Sequence, residues 1–160
     1  MSTRSEALAA RIEQGAQSLA DYAQGLTDAQ WRTKVGSDGR TVGVMIHHVA
    51  SVYPIEVHLA SEIAAGRAVA GVTWGVVADM NAKHSHEHAD IGKQETIDLL
   101  LKNSREAAAA VRALTDAQLD SAAPFSLNAD APLTAQFVIE DHALRHSWHH
   151  LAKIKAALGS

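Results

Sequence analysis

The chain has 160 residues, with 18 Asp and Glu against 14 Lys and Arg, ten His and no Cys; that length suits one domain with a real core, spanning 1–160. Without cysteine, disulfides, iron–sulfur clusters, thiolate zinc sites and thiol nucleophiles are excluded, and any metal must be held by His or carboxylate. A net charge of −4 offers no footprint for nucleic acid or an anionic membrane, and with neither an apolar leader nor a run of about 18 apolar residues the expected location is the cytoplasm.

Alanine occurs 31 times, against three prolines and seven aromatic residues. Ala loses no side-chain entropy in a helix, whereas sheets favour β-branched and aromatic residues, so the composition is α-helical. The spacing of Leu8, Ile12, Leu19 and Ala23 predicts a first helix over 5–24, ended by Gly25. LTDAQW (26–31) and a Gly-rich turn, GSDGR (36–40), lead to a second helix over 41–65, with Pro54 inside it and a local kink expected there. A third helix is expected over 74–89, and a fourth over 94–114 after Ile91-Gly92. A second LTDAQ (114–118) follows. The repeat is read as two equivalent helix exits whose Thr and Asp bond free backbone groups. An irregular Pro-containing stretch (121–132) then precedes a last helix over 133–158. Long helices joined by modest loops indicate an all-α bundle, with one long crossover before the last helix.

Nine of the ten histidines cluster: His47 and His48; His84, His86 and His88; and His142, His146, His149 and His150. A helical wheel turning about 100° per residue sorts them. On the second helix, Val44, Met45, Val52, Ile55, Leu59 and Ile63 form one apolar stripe with His48 in its middle. His47 and His58 fall on the side of Ser51, Pro54 and Ser61. On the last helix, His146 and His150 share an edge with Ile139, Ala143, Ile154 and Ala157, and lie one turn apart. His142 and His149 point toward Arg145 and Lys153, as solvated residues or as partners that orient a ligand. Three neutral imidazoles from two helices suit a divalent ion such as Zn, Ni or Fe and leave a coordination position open. Burying them without a shared partner is costly. A competing set is His84 with His88, one turn on, and HSHEH also has the composition of an exposed, weak metal-binding tract.

At these residues the chain resembles the DinB/YfiT-like metalloenzyme superfamily. TVGVMIHHVASV (41–52) is similar to the family's second-helix segment, with its ligand His before a small apolar pair. HSWHHLAKI (146–154) is similar to its final-helix pattern of two His four residues apart. LTDAQW and Asn81-Ala82 add to the likeness, which runs from about Leu8 to Ile154. Leu151-Ala152-Lys153 departs from the basic or aliphatic residue and Gly-Gln of many members. The resemblance implies a four-helix bundle holding a divalent metal on His48, His146 and His150 in an open cleft, often as a homodimer. It also implies thiol-dependent S-transferase or isomerase chemistry with a low-molecular-weight thiol, although many members have no established reaction. The extended apolar arc of Phe137, Leu144, Trp148, Leu151 and Leu158 fits either a dimer face or a wider core.

The expected chemistry is metal-assisted activation of a thiol or water nucleophile, as in an S-transferase or hydrolase. No general base stands out: the wheel turns Glu140 and Asp141 away from the histidine edge, and Glu56 and Glu87 are no better placed. The alternative reading is a non-catalytic module that binds a metal or small ligand, and a third is a structural dimer with packed histidines.

Overall fold

The computed structural model describes residues 2–37 and 39–160. Helices begin where a small polar side chain can take up free amide groups. Ser2 accepts from the amides of Arg4 and Ser5 at the head of α1 (Thr3–Gln24). The two LTDAQ segments each follow a long helix, as expected, but their polar residues serve the next helix rather than the last one. Thr27 and Gln30 cap α2 (Asp28–Trp31) reciprocally, because a Gln three residues after a Thr can return the hydrogen bond to the Thr amide. A two-residue hairpin follows, β1 (Lys34–Val35) against β2 (Arg40–Thr41); Asp38 of GSDGR lies outside the described residues. Thr41 then caps α3 (Val42–Ala64). The Trp31 ring lies so close to α3 that a Cβ on Gly43 would come within 2.5 Å of it.

The prediction of helix across Pro54 holds, for α3 is continuous through it. Proline has no N–H to offer the carbonyl four residues back, which belongs to Ala50. Asn103 Nδ2, on α5 (Lys93–Arg112), donates to that carbonyl at 2.8 Å and takes the missing donor's place.

Between α3 and α5 lies α4 (Trp74–Glu87), which has no buried residue of its own. After α5, Thr115 and Gln118 cap α6 (Asp116–Asp120) in the manner of α2. The stretch expected to be irregular is a hairpin: β3 (Ala122–Phe125) pairs antiparallel with β4 (Ala131–Thr134). Its two prolines lie opposite each other, and Phe125 at the turn end is fully buried. The final helix starts at α7 (Ala135–Val138), passes through a π-helical segment (Ile139–Leu144) and continues as α8 (Arg145–Leu158).

Four long helical units close into a bundle. α1 packs along α5, α5 along α3, and the final helix completes the ring against α1 and α3. The first two bundle helices therefore face each other across the diagonal, and the crossover 113–134 carries the chain across the other diagonal. Leu8, Ile12, Leu19, Met45, Ile46, Tyr53, Leu100 and Ile154 fill the centre. Leu151 is also buried and Leu144 and Leu158 are partly so, which spends most of the wide C-terminal arc on the chain's own core; Phe137 and Trp148 stay exposed. Among the described residues no helix is long and apolar enough to cross a membrane.

Candidate metal centre

A cleft of about 380 Å³ opens between α3, α4 and the final helix. Its α3 wall consists of Val52, Ile55 and Leu59. The apolar stripe is thus divided: Val44, Met45 and Ile63 are buried, while the middle of the stripe faces the cleft. His48 stands on that wall, and His146 and His150 stand opposite on α8.

The three rings converge. One nitrogen from each of His48, His146 and His150 lies within 4.8 Å of the others, and His48 Nε2 is 3.2 Å from His146 Nε2. His48 is 6% exposed and His150 5%. Burial, with His146 as the next cause, pushes the His48 ring down to about 3 and the His150 ring to about 2. Both are therefore neutral electron-pair donors at ordinary pH.

Glu56, two turns beyond His48 on α3, is the carboxylate that sequence reasoning missed. It is buried, and its Oε1 lies 2.5 Å from His146 Nδ1. With its Nδ1 proton on Glu56, His146 turns a free Nε2 toward His48. The signal was an acid at the edge of an apolar stripe, since a carboxylate buried there needs a partner; Glu62 on the opposite edge finds Arg67 instead.

These residues fit a divalent cation. Two imidazole nitrogens bound tetrahedrally at about 2.0–2.1 Å stand about 3.3 Å apart, close to the 3.2 Å between His48 and His146. Buried His150 Nδ1 and Glu56 Oε2 have no hydrogen-bond partner among the described residues. Each such atom costs about 1–3 kcal/mol, a cost that coordination through Nδ1 would offset at His150.

The remaining histidines sort differently from the wheel. His47, expected on the polar side, is 6% exposed because α4 covers that side. Its Nδ1 meets His84 Nε2 at 2.8 Å, and its ring lies 4.2 Å from that of His88, centroid to centroid. His84 and His88 thus join His47 and not the α8 pair. His142 lines the cleft, partly buried with its ring edge-on to Phe125, and His149 is exposed at the cleft margin. His58 and His86 face solvent. Glu140 pairs with Arg11, away from the cleft as expected, and exposed Glu87 pairs with Lys83. Asp141, by contrast, lines the cleft, since the π-helical segment rotates it relative to α8.

No curated protein matches the sequence. A solved structure, YfiT from Bacillus subtilis, is similar in fold: its TM-score is 0.75 at 20% identity, over 98% of this chain and 87% of that one. It is described as a probable metal-dependent hydrolase with an unusual four-helix bundle topology. The sequence model of the DinB superfamily matches residues 11–154. With that match running from within α1 to within α8, the chain belongs to the DinB superfamily.

Proposed function

We propose that the chain is a divalent-metal-dependent enzyme of the hydrolase or thiol S-transferase type, with His48, His146 and His150 as its metal ligands. The observation that carries this reading is the convergence of three imidazoles in a cleft, one of them held in place by Glu56. When bound, a cation such as Zn, Ni or Fe supplies Lewis acidity that brings a water or thiol nucleophile toward its anionic form near neutral pH. The likeness to YfiT supports the hydrolytic branch.

The chain's own residues supply the rest. Glu56 fixes the tautomer and orientation of His146. Val52, Ile55 and Leu59 face Trp74, Val77 and Met80 across the cleft, a slot for the apolar body of a small molecule. Arg145 and Lys153 line the same cleft and favour a substrate with an anionic group, such as a low-molecular-weight thiol bearing a carboxylate. Of the two carboxylates lining it, Glu56 is committed to His146, and Asp141, whose Oδ1 is paired with Arg145 at 3.3 Å, would have to release Arg145 to the substrate's anionic group before accepting a proton.

Elemental analysis of protein purified without added metal tests the ligand set. At least one divalent ion per chain is expected in the parent protein, and the ion at this centre should persist in His149→Ala. Loss of that ion in His149→Ala but not in His146→Ala would overturn the assignment. Turnover assays then divide the reaction types: amides and esters on one side, thiols with electrophilic acceptors on the other. No turnover of either by metal-loaded protein would favour a non-catalytic binding module.

A further inference from the structure

Nine residues of α4 and its end, WGVVADMNAKHSHEH read from its seventh position onward, carry three of the ten histidines, and two of them meet His47. One nitrogen from each of His47, His84 and His88 lies within 4.8 Å of the others. The His84 and His88 rings are 4.6 Å apart between centroids, as expected for residues one turn apart, and the His47 ring lies 5.0 Å from His84 and 4.2 Å from His88. None of the three is a ligand in the centre proposed above.

Hydrogen bonding alone leaves this cluster unfinished. A neutral imidazole has one N–H and one acceptor nitrogen. The His47 Nδ1 to His84 Nε2 contact at 2.8 Å uses one of each. His84 Nδ1 is then buried without a hydrogen-bond partner among the described residues. Ser51 Oγ lies 3.3 Å from the same His47 Nδ1 but donates to the His47 carbonyl at 2.8 Å, so it does not complete the set. A cation at the point of convergence would take one electron pair from each ring, His84 Nε2 included, and the other nitrogen of each ring, His84 Nδ1 among them, would keep the proton.

The cluster also sits where a cross-link matters. With no buried residue, α4 has little apolar surface to hold it: Trp74 is 65% exposed, and Met80 is exposed as well. Its packing is chiefly against α3. Yet Trp74, Val77, Met80 and Asn81 form the outer wall of the cleft. We propose that His47, His84 and His88 form a second divalent-metal site, of the borderline ions that imidazole favours, which staples α4 to α3 and so fixes the outer wall of the cleft. It is independent of the reaction assigned above, because its donors are separate.

The test uses full-length protein stripped with a chelator and titrated with Zn²⁺, with bound metal measured after equilibrium dialysis and amide hydrogen exchange followed across α4. Two ions per chain are expected. The first equivalent should leave exchange in α4 nearly unchanged if it fills the His48 centre, and the second should slow it. In His84→Ala/His88→Ala, whose substitutions fall on a helix without buried residues, the second ion should be lost and α4 should exchange as in stripped protein. Helical content by circular dichroism should match the parent. His150→Ala should keep the ion that slows α4. Retention of two ions by the double variant would overturn the proposal, as would saturation of the parent at one ion that survives that double substitution. A single ion lost with His84 and His88 but kept in His150→Ala would leave this site standing and remove the one at His48.

Discussion

His47 and His48 are neighbours on one turn of α3, each buried and each facing two histidines from a single other helix, yet they sit in differently supported surroundings. The partners of His48 stand on α8, a bundle helix whose Leu151 and Ile154 are in the core, and a buried carboxylate orients one of them. The partners of His47 stand on a helix with no buried residue, and no carboxylate is hydrogen-bonded to that cluster among the described residues. Equal donor chemistry therefore does not make equal sites. Pre-organisation by a packed scaffold and an outer hydrogen bond favours tight, defined binding at one, whereas the other must help to hold its own helix in place.

Substitutions can break this contrast or sharpen it. The largest effect is expected from His150→Ala, which removes a donor outright. Zn²⁺ affinity at the His48 centre should fall by more than roughly 100-fold, beyond the range seen for loss of an outer partner, while the ion that protects α4 remains; competition with a chromogenic chelator measures both. Glu56→Gln keeps the shape but weakens the grip on His146, and should cost about 10–100-fold at the same centre with no change at the other. Equal losses at both sites would show that the two triads are not separately supported.

Acid should reveal the buried rings in metal-free protein. His48 and His150 are held down to about 3 and about 2, whereas in the unfolded chain such rings titrate near about 6.5. As pH falls below about 6.5 the unfolded chain takes up protons that the folded chain refuses. Stability should then drop by about 1.4 kcal/mol per pH unit for each ring. Urea melts of stripped protein between pH 7 and 5 should show a slope summed over these two rings and the other lowered histidines, His84 at about 4 among them, and His150→Ala should remove one ring's share of it. The smallest effect is expected from Trp74→Ala on α4. Its side chain is largely exposed, so stability should shift by no more than about 0.5 kcal/mol. KM for the substrate identified by the activity assays should rise about fivefold, equivalent to roughly 1 kcal/mol of apolar contact.

Local chemistry made much of this legible from sequence. The long helices were readable because Ala-rich segments are punctuated by Thr and Gly, and His146 with His150 because both follow the π-helical segment and keep an ordinary α-helical relation to each other. The same segment made Asp141 unreadable, since a wheel of constant pitch cannot register an extra residue in a turn. His47 was misplaced for a different reason: what buries it is a helix that contributes no core residue, so neither periodicity hinted at their meeting. The hairpin at 122–134 was hidden by short strands carrying prolines, which look like loop.

The carbonyl of Ala50, served by Asn103, has a mechanical corollary. A helix that borrows a donor from next door is keyed to its neighbour: α3 cannot slide along α5 or turn against it without leaving that oxygen bare, at a cost of about 1–3 kcal/mol. The key lies two residues from His48. One jaw of the cleft is thus locked to the scaffold by packing and a hydrogen bond, and the opposite jaw, with no buried residue, rests on its histidines, so without an ion on them an incoming molecule that needs more room should gain it by pushing α4 outward.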